Sequence, residues 1–291
     1  MKALFRTLRP QQWVKNVFVA APVVFSHKLE DTSYLWREAV AVLAFCMLSG
    51  AVYCFNDVRD VEADKLHPTK KHRPIAAGQL SERTALIASA TLAVVALGAC
   101  FALHWQVAMW AGIYFAQNLA YSVKLKHVAF IDVLLIASGF LLRVLGGAAA
   151  IAVPASMWVL ACTGLVAIFF ALGKRAHELA WAERSGKVTT ATRAALAGYR
   201  LGHVKVAMFL IGAATSAAYV AYTLDERTFE MFHTKNLVYS APFVLLGIIR
   251  FFYLALWRPK TESPTEAMLR DPLFLLDLAA ATAAVLYIIY A

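Results

Sequence analysis

The chain is poor in cysteine and builds no motif from it. Cys46, Cys54, Cys100 and Cys162 all lie inside apolar stretches and show no Cys-x-x-Cys spacing, which argues against a disulfide framework or zinc site and for buried structural thiols. No Pro/Ser/Gly-rich linker interrupts the 291 residues, so they read as one domain, 1–291. Alternation of apolar and polar positions, the mark of transmembrane barrel strands, is missing. No clear small-residue cleavage site follows the first apolar stretch and a polar amphipathic segment precedes it, so the chain reads as mature rather than as carrying a signal peptide. There is no clear internal repeat and little charge at the middle of the apolar blocks, which counts against a transporter.

What the chain has in excess is apolar surface. Hydrophobic residues make up 61% of it, against 45–50% in an ordinary soluble protein. They come in blocks long enough to cross a bilayer, at about 17–25 residues each. Backbone polar groups cannot stay unpaired in lipid. The reading is therefore an all-α, polytopic bundle of about nine spans. The spans are expected at 14–30, 36–57, 83–103, 105–122, 128–150, 155–173, 203–223, 236–257 and 272–290. The first is the weakest, with Lys15 and Asn16 near its start and Pro22 in its middle.

The net charge of +10 is uneven. The N-terminus through Lys15 and the segments 58–83, 121–127, 174–205 and 257–272 hold four, six, two, seven and three Lys plus Arg. The alternate loops hold Lys28, Arg37, Arg227 and Lys235. The positive-inside rule makes the first set cytoplasmic. The N-terminus is then inside, the C-terminus outside, and the protein integral to the cytoplasmic membrane.

The most informative stretch ends the second span: Asn56-Asp57-Val-Arg59-Asp60-Val-Glu62-Ala-Asp64. At about 100° per residue, Asn56, Asp57, Asp60 and Asp64 share an arc of roughly 100°, with Arg59 and Glu62 opposite. Stacked carboxylates repel one another on an isolated helix. A divalent cation relieves that repulsion, and hard oxygen ligands suit Mg²⁺ with a substrate phosphate. Lys65, His67, Lys70, Lys71, His72 and Arg73 follow at once. Cations beside a metal-phosphate site offset its remaining charge, and Arg does so bidentately.

Two further inward loops repeat the pairing of cations with a carboxylate. One runs Tyr121-Ser-Val-Lys124-Leu-Lys126-His127 to Asp132; the other opens Gly173-Lys174-Arg175-Ala-His177-Glu178. Lys174 and Glu178 stand one turn apart, close enough to pair with each other instead of a ligand. Arg143 lies about 16 Å along the helix from Asp132 at nearly the same angle. A charge at that depth faces a bundle interior, as an interhelical bond or as a cavity wall. Gly139, Gly146 and Gly147 beside it let another helix approach. Arg250 is expected to snorkel to the interface.

These motifs resemble the UbiA superfamily of intramembrane prenyltransferases, whose first aspartate-rich motif matches Asn56-Asp-x-x-Asp60-x-x-x-Asp64. Further blocks resemble its decaprenyl-phosphate phosphoribosyltransferase branch. They are Arg9-Pro-Gln-Gln-Trp13-Val-Lys15-Asn16, His67-Pro-Thr-Lys70-Lys-His-Arg73-Pro-Ile-Ala-Ala-Gly78, Tyr121-Ser-Val-Lys124-Leu-Lys126-His127, Gly173-Lys174-Arg175-x-x-Glu178-Leu179 and Leu269-Arg270-Asp271. Where the general pattern has a second pair of aspartates, only Asp132 stands here, with Lys124 and Lys126 before it.

The resemblance implies a helix bundle around a central cavity open to the cytoplasm, and Mg²⁺-dependent transfer of 5-phosphoribose from phosphoribosyl diphosphate to a polyprenyl phosphate, with diphosphate released. Asp57, Asp60 and Asp64 would be catalytic and, with Asn56, hold the metal. Lys15, Lys71, Arg73, Tyr121, Lys124, Lys126, Asp132, Lys174, Arg175 and Glu178 would bind substrate. Arabinan precursor supply for a cell wall would be the pathway. Nucleic acid is not implied as a partner, and oligomeric state is left open, a homo-oligomer included. The competing reading is a UbiA-type prenyltransferase moving a polyprenyl group from its diphosphate to an aromatic acceptor.

Overall fold

The computed structural model describes residues 2–67, 69–123, 125, 128, 130–185, 196, 198–257 and 264–290. Among these residues all regular structure is helical. Seven of the helices are long and apolar enough to cross a membrane. The chain divides into two compact units, Met1–Lys126 with Ser138–Ser156, and His127–Ala137 with Met157–Ala291.

The first unit contains α1 (Lys2–Thr7), a 3-10 segment Pro10–Val19, α2 (Ala21–Phe25), α3 (Thr32–Arg59), α4 (Val61–Leu66), α5 (Glu82–Leu103), α6 (Trp105–Val123) and most of α7 (Ile131–Ala150). Asp31 caps α3 by accepting from the Ser33 backbone N–H at 2.7 Å, and Ser81 caps α5 through the Thr84 N–H at 3.1 Å. Each cap satisfies one of the orphan donors at a helix start. The core joins α3, α5, α6 and α7 around Phe45, Leu48, Ala51, Ala96, Ala111, Tyr114 and Leu142. Gly147 is where α7 is pressed closest: a Cβ there would overlap the Val19 carbonyl and crowd Glu38. α3 is 61% buried over its apolar window. α5, by contrast, turns Leu86, Ile87, Val94, Val95 and Phe101 outward, a face suited to lipid.

The second unit contains the start of α7, then α8 (Met157–Ser185), α9 (Leu201–Leu224), α10 (Glu226–Phe232), a 3-10 turn Asn236–Ser240, α11 (Ala241–Trp257), α12 (Pro264–Leu269) and α13 (Pro272–Tyr290). Phe169, Leu172, Met208, Phe251, Ala255 and Phe274 form its core.

Seven of the nine expected spans coincide with the long apolar helices. The expected span 14–30 is instead a 3-10 helix followed by the five residues of α2. Pro10 and Pro22 sit at the starts of these two pieces, where a missing N–H costs nothing, and Asn16 is buried for polar bonding rather than facing lipid. The expected span 105–122 is present as α6, 19 residues long. Its amides are turned to internal bonds: Asn118 donates to the Tyr114 carbonyl at 2.8 Å, and Gln117 accepts from Ser138 at 2.9 Å. Those polar groups keep its hydropathy below that of the seven.

Candidate active site

The aspartate-rich stretch is two helices rather than one. α3 stops at Arg59 and α4 starts at Val61, with Asp60 at the joint. The turn is carried through all the same, because the Asp64 N–H reaches the Asp60 carbonyl at 2.8 Å. The arc expected from the sequence survives the joint. Asp57 and Asp64 are buried and Asn56 and Asp60 half-buried, while Arg59 and Glu62 are exposed.

Two arginines complete the cluster. Arg73 Nη1 donates to Asp64 Oδ2 at 2.6 Å and to Asp57 Oδ1 at 3.1 Å. Arg9 Nη2 donates to the same Asp57 Oδ1 at 2.5 Å, and its guanidinium lies 4.9 Å from the Tyr53 ring centroid. Asn56 Nδ2 donates to Asp60 Oδ2 at 3.2 Å. Asp57 Oδ2 is buried and has no hydrogen-bond partner among the described residues. Burial pushes the Asp64 carboxyl up from its ordinary value, against the opposing pull of Arg73. Arg9 is delivered from a left-handed backbone, φ +51°, directly before Pro10. That conformation costs an L-residue about 1–2 kcal/mol. Arg9 was absent from the candidate residues, although its place in Arg9-Pro-Gln-Gln-Trp13 was a signal. Lys71 is exposed, and Lys15 is half-buried beside Asn16 on the 3-10 segment.

Deeper in the same unit, Arg143 is an interhelical bond. Its Nε donates to Asn16 Oδ1 at 2.7 Å, Nη1 to the Gly139 carbonyl at 2.9 Å and Nη2 to the Tyr114 hydroxyl at 2.8 Å. The guanidinium also lies over the Tyr114 ring, 4.6 Å from its centroid. Of the two readings left open by the sequence, these contacts are those of the bond between helices.

In the second unit Asp132 is held from two sides. The Tyr199 hydroxyl donates to Asp132 Oδ1 at 2.6 Å. Arg175 Nε touches Asp132 Oδ2 at 2.5 Å as an ion contact, without the alignment of a hydrogen bond. Arg175 also pairs with Glu178, so Glu178 goes to Arg175, not to Lys174. Tyr199 accepts the Phe130 backbone N–H at 2.7 Å, at a residue with φ +66°. Burial first, then the bond to Asp132, push the Tyr199 phenol up to about 12. Tyr199 was missed because no motif or charge marks it. Lys174 and Tyr121 are half-buried, and Lys124 and Lys126 lie outside the described residues. Arg250, expected to snorkel, is instead bound by both oxygens of Asp271 at 2.9 and 2.7 Å.

The UbiA prenyltransferase family matches this chain over residues 17–278. The chain belongs to that family. A decaprenyl-phosphate phosphoribosyltransferase of Mycolicibacterium smegmatis is 40% identical over 190 residues, 64% of this chain and 60% of that protein. The enzyme of the same name in Mycobacterium tuberculosis (strain CDC 1551 / Oshkosh) is 36% identical over 225 residues, 76% of this chain and 74% of that protein. The first of these matches spans less than two thirds of its relative's length. Among solved structures, a UbiA homolog from Archaeoglobus fulgidus bound to GPP and Mg²⁺ aligns with a TM-score of 0.71 at 16% identity, over 99% of this chain and 100% of that one. At that identity the likeness is one of fold.

For this UbiA-family chain, no group of three or more His, Cys, Asp and Glu residues among the described residues is arranged as a ready metal cage. The donor set still suits a hard cation: three carboxylates and an amide gathered along one side of the α3–α4 joint, one buried carboxylate oxygen without a partner among the described residues, and arginines in the places a cation's charge would fill.

Proposed function

We propose that this protein transfers 5-phosphoribose from phosphoribosyl diphosphate to a polyprenyl phosphate at the cytoplasmic face of the membrane, as a single Mg²⁺-dependent catalytic domain. The 36–40% identity to two decaprenyl-phosphate phosphoribosyltransferases supports the substrates. The observation that carries the chemistry is Asp57: a buried carboxylate with one oxygen unpartnered, at a helix joint where Asp64 and two arginines converge.

In this reading Asn56, Asp57, Asp60 and Asp64 hold the metal, which supplies charge stabilisation to the leaving diphosphate. Arg73, with Arg9, binds the diphosphate oxygens bidentately. The bond from ribose C1 to the diphosphate oxygen breaks, and a phosphate oxygen of the acceptor forms the new bond to C1. As C1 gains positive character, the fixed carboxylates stabilise it electrostatically. The acceptor is already an anion, so no general base is needed. Lys15, half-buried on the 3-10 segment, meets the lipid phosphate. Lys71, Lys124, Lys126 and Lys174 serve the 5-phosphate and the approaching anions together with Tyr121, while Arg175, enclosed by Asp132 and Glu178, keeps the start of α7 in place. The apolar outer faces of the helices accommodate the polyprenyl tail.

Purified protein is incubated with Mg²⁺, radiolabelled phosphoribosyl diphosphate and polyprenyl phosphate, and the lipid fraction is resolved by thin-layer chromatography. Label is expected in the lipid, and Asp57→Asn is expected to cut its rate by about a hundredfold or more. A parallel incubation holds prenyl diphosphate and 4-hydroxybenzoate. Product there and none from the phosphoribosyl pair would establish the aromatic prenyltransferase instead.

A further inference from the structure

Asp57 and Asp64 are already matched in charge without a metal. Arg9 and Arg73 bring two guanidiniums to two carboxylates, and Asp57 Oδ1 takes both of them. Mg²⁺ requires a near-octahedral shell of oxygens at about 2.0–2.1 Å. A guanidinium on Oδ1 at 2.5 Å and another at 3.1 Å leave Asp57 only its second oxygen to offer. A dication entering alone would add two charges beside two cations, in surroundings where water screens little.

The partners differ in freedom. The side chains of Asp57 and Asp64 are 1% and 4% exposed, those of Arg9 and Arg73 23% and 22%. The carboxylates are fixed by burial on α3 and α4, whereas the arginines reach in from the rim. Arg9 hangs from a strained left-handed residue, and Arg73 follows the 3-10 turn Lys70–His72. A diphosphate offers both guanidiniums a bidentate, charge-assisted alternative to the carboxylates.

We infer that Arg9 and Arg73 are resident counter-ions that give up Asp57 and Asp64 when a diphosphate arrives, so that the metal and the diphosphate bind as one coupled event and each binds weakly alone. The inference rests on the metal-diphosphate reading of this site but on nothing about ribose or the lipid acceptor. It assigns Arg9 a role in ligand exchange and makes the order of binding a property of the apo ion pairs. By linkage, the factor by which diphosphate tightens metal is the factor by which metal tightens diphosphate.

The test uses the full-length protein in detergent, with Mn²⁺ followed by electron paramagnetic resonance and inorganic pyrophosphate as the probe; Asp57→Asn corrects for complexes formed in solution. In the wild type, pyrophosphate is expected to tighten Mn²⁺ binding about tenfold or more, since a guanidinium at this range shifts a carboxylate's proton affinity by about 1–3 pKa units. Arg9→Gln and Arg73→Gln are expected to tighten Mn²⁺ binding in the absence of pyrophosphate by a similar factor and to shrink the coupling. Wild-type Mn²⁺ binding as tight alone as with pyrophosphate would overturn the inference. So would folded arginine variants that bind Mn²⁺ alone no better than wild type. If either variant fails to fold, the wild-type coupling decides. Because the probe is pyrophosphate, a failure of phosphoribosyl transfer leaves this result standing, and the reverse also holds.

Discussion

The two carboxylate centres use the same parts to opposite ends. Asp57 in the first unit and Asp132 in the second are both buried, and both meet an arginine at 2.5 Å. At Asp57 the arginines are one-fifth exposed and one carboxylate oxygen is bare. At Asp132 the arginine is buried, a tyrosine hydroxyl takes the other oxygen, and that tyrosine is itself tied to the Phe130 backbone. A charge whose partners come from the rim can exchange them; a charge enclosed on all sides cannot. The first centre is built for ligand exchange and the second to hold the start of α7 against α8.

The comparison breaks most visibly if Asp132→Ala leaves the protein as stable as wild type. Removing this carboxylate leaves the buried Arg175 with Glu178 alone. Breaking such a pair from one side costs about 3–5 kcal/mol. A large fall in the thermal unfolding temperature in detergent is expected. Asp57→Asn, in contrast, is expected to remove metal binding with a small change in unfolding, since Arg9 and Arg73 can turn to water. Equal falls for both variants would end the distinction. Next in size is Arg143→Leu, which strips Asn16 and Tyr114 of a donor in the core of the first unit. Ser49 still reaches both, so the cost is that of the lost bonds to a charged group, about 1.5–3 kcal/mol each. Thermal unfolding of this variant should fall about as far as that of a core-cavity mutant. An unchanged midpoint would mean that Arg143 holds no helices together.

How much of this was legible beforehand follows from what kind of information each feature uses. The apolar blocks report the bilayer crossing directly, so most spans were placed from hydropathy alone. Asn56, Asp57, Asp60 and Asp64 were legible because a helix converts spacing into a shared face, and that conversion survived the joint at Asp60. The 3-10 segment was not, because the sequence there is apolar enough for a span while its bonding depends on Asn16 meeting Arg143, 127 positions away. The same holds for Arg9 on Asp57, for Tyr199 on Asp132 and for Arg250 on Asp271. Local periodicity carries no information about partners brought together by tertiary folding. Lys174 and Glu178 show the converse: their spacing suited a pair, and a closer arginine took the carboxylate.

Tyr199→Phe sharpens the contrast with a smaller expected effect. It removes one oxygen and keeps the ring tilted against Phe130, 5.1 Å between centroids. Asp132 Oδ1 loses its donor and the Phe130 N–H its acceptor, a cost of about 1–3 kcal/mol. If Tyr199 orients the loop that precedes α7, the apparent Michaelis constant for phosphoribosyl diphosphate should rise while the turnover number changes little. A loss of turnover alone would assign Tyr199 to the chemistry.

The smallest expected effect is Arg250→Lys. Arg250 and Asp271 form a two-pronged pair, but Arg250 is partly exposed, and exposed pairs contribute about 0–1 kcal/mol. Lysine keeps the charge and loses the fork, so the stability change should fall inside that range. Asp271 also caps the start of α13 through the Phe274 N–H at 2.9 Å, and Arg250→Lys leaves that bond in place. Asp271→Asn removes half of the pair while keeping an oxygen for the cap. If Arg250→Lys lowered the unfolding midpoint as much as Asp132→Ala, a second enclosed charge would exist in this unit, and the contrast with Asp57 would be one of depth in the bilayer rather than of how many sides are closed.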